Sequence, residues 1–219
     1  MWDKSRPPDA MNQDLLTGQV AIVTGVGGET GAAIALLLAR HGARVAANDI
    51  NPDRASRVAR AILDAGGEAL AITADVSNRF QCVNLIESTR EVWGRLDILV
   101  NNAAVSPAAP LLKMDEWAWQ RCLDVNLKGP FFMCQLVGRV MVDENQDRGG
   151  VMINLGEAGS AESLPGRAAY AASQAGLAAF SRQCAQELAP YGIHVFYLES
   201  GPDAEGVAQR TLAAVQEGG

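Results

Sequence analysis

The stretch VAIVTGVGGETG, residues 20–31, decides the fold of this chain. An apolar run stops at a glycine-rich turn, and a helical pattern begins at once and continues to Gly42. A second apolar run follows and ends on Asn48 and Asp49. Strand, turn, helix, strand and acid in this order are the layout of a dinucleotide-binding βαβ unit. In such a unit the glycines let the backbone approach a pyrophosphate, and the acid takes the ribose hydroxyls.

Composition limits the classes of protein and of partner. The chain has 219 residues, of which 48% are hydrophobic, enough for one α/β domain. Eighteen basic and 25 acidic residues give a net charge of −7, which argues against nucleic acid and anionic membranes as partners. Because neither a membrane-spanning run nor a signal-peptide core is found, a cytoplasmic location is expected. Scattered cysteines and histidines predict no metal site.

The remaining pattern alternates strands with helices. Residues 1–17 are expected to form a flexible arm, and residues 18–219 a single domain. Further strands are predicted at 68–76, 96–104, 150–155 and 193–199, and helices at 80–93, 113–126, 128–144 and 203–216. We therefore predict a Rossmann-like doubly wound parallel sheet of about six strands, in the order 3-2-1-4-5-6 and shortened at its C-terminal end.

The first turn resembles that of the short-chain dehydrogenases/reductases, which reads Thr-Gly-x-x-x-Gly-x-Gly. Thr24, Gly25 and Gly31 match this pattern, but Glu29 stands where the family has its middle glycine. Its carboxylate comes to the place expected for a pyrophosphate. Gly28 stands one residue earlier, so either the turn has re-formed around Gly28 or the loop is now only a structural connection.

The resemblance also implies where an adenosine would lie. Asp75 and Val76 match the residues that flank the adenine ring in the family, although Asp75 also suits a turn and helix cap. Asn102 and Ala103 belong to a segment that matches the family's Asn-Asn-Ala-Gly in its first three residues. Asp49 has no basic residue directly after it, which implies NAD as the cofactor because an acid repels the 2′-phosphate of NADP.

The family's catalytic positions are only partly kept. Tyr170 matches the catalytic tyrosine, and Asn126 matches the asparagine that holds a water in the proton relay. Glu157 stands where the family has serine, and Gln174 where it has lysine. An ammonium normally lowers the pKa of the tyrosine, which glutamine cannot do, and an ionised Glu157 would raise that pKa.

Three functions remain open on these residues. The favoured one is a family member with an impaired site, acting as a non-catalytic or regulatory subunit of a dehydrogenase or reductase assembly. The second is an active NAD(H)-dependent alcohol or ketone oxidoreductase that uses Tyr170, Asn126 and a protonated Glu157. The third is a nucleotide-binding sensor or scaffold. The helices near 128–144 and 166–189 match those that pair between subunits in the family, which implies a homodimer or a heteromer with a related subunit.

Overall fold

Six parallel strands form one sheet in the order 3-2-1-4-5-6, as predicted. The structure is a computed structural model that describes residues 15–145, 148–157 and 165–218. The strands are β1 Val20–Thr24, β2 Arg44–Asp49, β3 Glu68–Thr73, β4 Ile98–Asn101, β5 Gly150–Gly156 and β6 Ile193–Glu199. Neighbouring strands are parallel throughout, so their carboxyl ends meet at one edge of the sheet. In doubly wound sheets ligands bind at this edge.

Helices cover both faces of the sheet. They are α1 Glu29–Arg40, α2 Pro52–Asp64, α3 Arg79–Trp93, α4 Glu116–Leu123, α5 Gly129–Glu144, α6 Ala168–Leu188 and α7 Ala204–Gly218. Polar side chains fix several helix starts: the Asn51 side chain accepts two backbone N–H bonds at the start of α2, and the Asn78 side chain does the same for α3. No helix within the described ranges is long and apolar enough to cross a membrane.

The core consists of two layers, one on each face of the sheet. Alternate residues of β1 enter different layers, because successive side chains of a strand point to opposite faces. Ala21 and Val23 pack toward α1, α2 and α7, whereas Val20 and Ile22 pack toward α3, α5 and α6. The continuous apolar run of β1 therefore reflects burial on both faces.

Several element boundaries differ from the predicted ones. The strand predicted at 68–76 ends at Thr73, because Thr73 pairs with Asp49, the last residue of β2. The strand predicted at 96–104 covers only 98–101, and its last residue pairs with Asn154. The helices predicted at 113–126 and 128–144 are not separate, since one turn of π-helix, Asp124–Lys128, joins α4 directly to α5. The last helix covers 204–218 instead of 203–216.

The beginning of the folded part lies earlier than predicted. Leu16 is buried in the layer beneath α1, and its backbone N–H donates to the carbonyl oxygen of His41 at 2.8 Å. Leu16 therefore belongs to the fold and not to a flexible arm. Residues 1–14 lie outside the described residues, so the arm and the single domain boundary stay predictions.

Candidate functional site

The turn between β1 and α1 is packed so tightly that two of its glycines have no substitute. Gly25 has a φ of +68°, and a Cβ there would lie 2.7 Å from the Cα of Ala103. A Cβ on Gly31 would lie 2.5 Å from the carbonyl oxygen of Gly25 and 2.6 Å from the amide nitrogen of Asn102. The predicted roles of both glycines in a tight turn thus match the local geometry.

Thr24 and Asn102 clamp this turn to the end of β4. The hydroxyl of Thr24 accepts the backbone N–H groups of Asn102 and Ala103 at 3.0 and 3.1 Å. The Asn102 side-chain amide donates to the carbonyl oxygens of Thr24 and Gly25 at 3.0 and 2.9 Å. Thr24 is buried behind the loop, so it supports the turn and does not itself line the cavity described next.

A cavity of about 400 Å³ opens at the carboxyl ends of β1, β2 and β4. It unites eight of the nine residues for which sequence predicted cofactor contacts: Gly25, Gly28, Gly31, Asp49, Asp75, Val76, Asn102 and Ala103. Three charged residues, Glu29, Arg54 and Arg121, also line it. Sequence reasoning missed both arginines, although Arg54 follows Asp49 by five residues in the first turn of α2.

Asp49 is held by the loop that it faces. Its two carboxylate oxygens accept the backbone N–H groups of Gly27 and Asn51, at 2.8 and 2.9 Å. A Cβ on Gly27 would lie 2.6 Å from the Asp49 carboxylate and 2.5 Å from the side chain of Arg54. Gly27 is therefore a further residue of the site that the sequence pattern did not single out. The carboxylate retains lone pairs for a ribose hydroxyl, since each oxygen accepts more than one hydrogen bond.

Asp75 is tied to Arg121 on α4. The Arg121 guanidinium lies 2.9 Å from one Asp75 oxygen, and the Ser77 hydroxyl and backbone N–H donate to the other at 2.7 and 2.9 Å. Burial alone would raise the pKa of Asp75, but the bonds from Ser77 and Arg121 outweigh it and hold the pKa below its usual value. The turn that sequence offered as an alternative is thus present, and Asp75 also faces the cavity.

Glu29 and Gly28 stand where α1 begins. Gly28 precedes the helix with a φ of −84°, and a Cβ there would have its nearest neighbour 4.0 Å away, so this position does not require glycine. Glu29 is exposed in the first turn of α1 and lines the cavity. Its charge stabilises the positive end of the helix dipole, which is where a pyrophosphate would otherwise bind.

A second cluster lies at the ends of β5 and β6 and contains the predicted catalytic residues. Tyr170 on α6 is 8% exposed, and the Glu157 carboxylate is near enough to raise the pKa of its phenol. Gln174, one turn further along α6, is buried, and its carbonyl oxygen accepts the backbone N–H of Glu157 at 2.9 Å. The three residues therefore lie together at this edge of the sheet, and their catalytic roles stay predictions.

The environment of Tyr170 keeps its phenol protonated. Burial raises the pKa of Tyr170 well above its ordinary value, and both the charge of Glu157 and its hydrogen bond to the phenol raise it further. Arg167 acts in the opposite direction and is outweighed. Glu157 therefore changes the pKa in the direction expected from the sequence.

Tyr197 on β6 belongs to the same cluster. A Cβ on Gly156 would lie 2.7 Å from the Tyr197 hydroxyl and 2.7 Å from the Gln174 carbonyl oxygen, so these two polar atoms crowd one point beside the end of β5. Tyr197 also contributes to the raised pKa of Tyr170. The alternation of β6 places Tyr197 on the same face as Val195, toward α6. This alternation was a signal that sequence reasoning did not use.

Asn126 lies in the π-helical turn between α4 and α5. Its side chain exchanges two hydrogen bonds with the backbone of Val105, both at 2.8 Å, and donates to the Ser173 hydroxyl at 3.1 Å. Ser173 in turn donates to the carbonyl oxygen of Tyr170. Asn126 thus links the segment after β4 to the helix of Tyr170, and π-helical turns are frequent at functional sites.

The described residues contain no group of histidines, cysteines and acids suited to a metal ion. Burial raises the pKa of the Cys82 and Cys134 thiols to about 12, so both are protonated core side chains at neutral pH.

Comparison with known proteins decides the family. The sequence model of the short chain dehydrogenase family matches residues 19–212. The chain belongs to the short-chain dehydrogenase family. A 3-oxoacyl-[acyl-carrier-protein] reductase from Synechocystis sp. is 37% identical over 181 residues, which are 82% of this chain and 72% of that protein. The predicted resemblance to this family of oxidoreductases is confirmed.

Solved structures give the same assignment for this short-chain dehydrogenase. A metagenomic short-chain oxidoreductase in complex with NADP has a TM-score of 0.86 and 31% identity, with 92% of this chain and 91% of that one covered. NAD+-bound xylitol dehydrogenase has a TM-score of 0.79 and 28% identity, with 91% and 76% covered. Nicotinamide dinucleotides of both kinds thus occur in similar structures.

The first-turn residues of this short-chain dehydrogenase fit such a cofactor. Backbone packs closely around Gly25 and Gly31, and the open side of Gly28 leaves room beside the start of α1. Asp49 and Asp75 both line the cavity and offer carboxylate oxygens to an adenosine. Glu29 lines the cavity from the first turn of α1, where its negative charge opposes a pyrophosphate.

Proposed function

We propose that this chain is a short-chain dehydrogenase with an impaired proton-transfer site that acts as a non-catalytic or regulatory subunit of a dehydrogenase or reductase assembly. The observation that carries the proposal is the composition of the cluster: Gln174 takes the fourth position after Tyr170 and is bonded to the backbone of Glu157, and the Glu157 charge raises the pKa of Tyr170. The cluster therefore has an added negative charge at Glu157 and lacks the positive charge that a lysine at position 174 would supply.

The pKa of Tyr170 explains the loss of activity. A tyrosine that takes a proton from an alcohol must first be ionised, and one that protonates an alkoxide must release its proton readily. A raised pKa opposes both steps. If an ammonium normally lowers this pKa by about 2 to 3 units, its absence alone reduces the ionised fraction about 100- to 1,000-fold.

Restoring the family's residues tests the proposal. The double variant Glu157→Ser and Gln174→Lys is expected to gain NAD(P)H-dependent turnover of small ketones, or the reverse reaction with alcohols, by about 100-fold or more over the parent chain. Turnover is followed by NADH absorbance, and cofactor affinity by calorimetry in both proteins. Turnover by the parent chain near the usual value of about 10 per second would contradict the proposal.

We propose NAD as the cofactor of the nucleotide cavity. The carboxylate of Asp49 is fixed at the end of β2 by the amides of Gly27 and Asn51, where it would repel a 2′-phosphate. Calorimetric titration with NADH and NADPH measures the preference, and tighter binding of NADPH would contradict it. If NADH binds and the double variant gains no turnover, a nucleotide-binding sensor or scaffold is the function that remains.

An active oxidoreductase is the second candidate. The open cavity supports it, as do relatives that are named as reductases and dehydrogenases. It requires a protonated Glu157 that donates to the substrate oxygen together with Tyr170, and a water held near Asn126. This candidate expects turnover to fall in Glu157→Gln and to be lost in Tyr170→Phe. Retention of turnover in Tyr170→Phe would exclude it.

We also propose that α5 and α6 form a subunit interface, in a homodimer or with a related chain. Two apolar grooves of about 400 and 500 Å³ lie along these helices and share Phe131 and Phe180. Phe131 and Val142 are 39% and 37% exposed. An apolar face of this kind is costly to leave in water. Sedimentation of the purified chain would give a dimer mass, or a monomer that associates only when a related subunit is added.

A cytoplasmic location stays a prediction.

A further inference from the structure

Arg167 lies beside the Tyr170 ring, and the chain around it is held in place. It directly precedes α6, after a turn in which Gly166 has a φ of +87°. The carbonyl oxygen of Gly166 accepts the backbone N–H of Ala109 at 3.0 Å, which joins the turn to the segment that follows β4. The guanidinium carbon of Arg167 lies 5.5 Å from the centroid of the Tyr170 ring. The charge is therefore held over the residue that carries the predicted chemistry.

The guanidinium of Arg167 has no carboxylate partner among the described residues. The ion pairs found in residues 15–145, 148–157 and 165–218 involve other arginines and Lys128. Glu157, the described acid of the cluster, is not among the ion-pair partners in these ranges. A partly buried guanidinium that stacks on a ring keeps the N–H groups along its edge available.

The neighbouring surface is apolar. Met114 and Trp119 pack against Tyr170, Ala169 and the buried Cys122. They come from the chain segment and helix that follow β4, on the side to which Ala109 is bonded. A ligand at Tyr170 would therefore meet a fixed cation and an apolar wall within one small region.

We infer that Arg167 anchors the carboxylate of a small hydroxy or oxo acid whose hydroxyl or carbonyl oxygen lies at Tyr170. A guanidinium binds a carboxylate through two parallel N–H bonds, which fixes the orientation of the acid as well as its charge. The carbon chain of the acid then contacts the wall formed by Met114 and Trp119. This inference rests on the proposed function only in placing a small-molecule ligand beside Tyr170, and it does not require turnover.

The experiment compares two probes that differ in charge alone, 3-hydroxybutyrate and its methyl ester. Both are titrated calorimetrically into the full chain, with and without NAD+. We expect the acid to bind about 10- to 100-fold more tightly than the ester, as a charge-assisted pair provides. In Arg167→Gln the affinity for the acid should fall to that for the ester, while the affinity for the ester should stay unchanged. In Arg167→Lys the affinity for the acid should lie between the values for the parent chain and for Arg167→Gln, because lysine keeps the charge and loses the two parallel N–H bonds.

The control is Arg182→Gln, which removes an exposed arginine further along the same helix. It should leave the ratio of acid to ester affinity unchanged. Equal binding of acid and ester, an unchanged ratio in Arg167→Gln, or no binding of either probe would each overturn the inference. Turnover of 3-hydroxybutyrate by the parent chain would instead contradict the non-catalytic function and leave the role of Arg167 intact.

Discussion

The nucleotide cavity and the Tyr170 cluster lie at the same edge of the sheet, but they differ in what forms them. Close backbone packing shapes the cavity, whereas polar side chains form the cluster. Around the cavity, backbone meets backbone, and Gly25 and Gly31 leave no space for a larger residue. In the cluster, side chains meet, and Gln174 bonds to the backbone of Glu157 without disturbing α6. A site built from backbone contacts resists substitution, whereas a site built from side-chain charges can lose its chemistry while the fold remains satisfied.

Substitution in the backbone-held region should have the largest effect. In Gly31→Ala the new Cβ would lie 2.5 Å from the Gly25 carbonyl oxygen, so the turn has to move. We expect the free energy of unfolding to fall by about 3 kcal/mol, the upper part of the usual range for overpacking. Chemical denaturation measures the loss, and calorimetry should show weaker binding of NADH.

The matched control for that variant is Gly28→Ser, in the same turn. The Cβ position there has no heavy atom closer than 4.0 Å, and serine suits the residue before a helix. Its stability should stay within about 0.5 kcal/mol of the parent chain. Equal losses in the two variants would remove the distinction drawn between the two regions.

Substitution in the Tyr170 cluster should change the ionisation of Tyr170 and leave the fold almost unchanged. Glu157→Gln removes both the negative charge and the carboxylate acceptor beside Tyr170. We expect the pKa of the phenol to fall by about 1 to 2 units. The ultraviolet absorbance of tyrosinate measures this pKa, with Tyr170→Phe subtracted to isolate the signal. An unchanged pKa would show that burial alone is responsible.

The same shift has a consequence for stability at alkaline pH. The pKa of Tyr170 is higher in the folded chain than in the unfolded one, so the folded state holds the phenolic proton more tightly. This contribution to stability is complete below the unfolded pKa of about 10 and is lost as the pH rises toward the folded value. The difference in stability between the parent chain and Tyr170→Phe should therefore shrink above about pH 10.

The smallest effect is expected at Glu29, whose negative charge opposes the pyrophosphate of a cofactor in the cavity. Glu29→Gln removes a carboxylate from the first turn of α1 and should tighten NADH binding about 5-fold at low salt. The gain should decline as salt is added, because the site is exposed. A gain that persists at high salt would point to a steric role of Glu29.

Sequence could predict the sheet order and most of the cavity because both follow from local patterns. The apolar runs and the turn at residues 24–31 suffice to place Asp49 and Gly31 at one edge of the sheet. Arg121 could not be found in this way, because its contact with Asp75 joins residues 46 positions apart. The π-helical turn at Asn126 also escaped prediction, since the side-chain bonds of Asn126 to Val105 and Ser173 join residues distant in the sequence.

The order of the strands also governs how the chain can fold. β1 lies between β2 and β4. On its β4 side, the backbone N–H of Val20 donates to the side chain of Asp97, which lies 77 residues away in the sequence. The centre of the sheet therefore cannot close until a long loop has closed, which carries an entropic cost that local helix formation does not repay. Refolding should be slow, with the βαβ unit around β1 and β2 structured before the central ladder is complete.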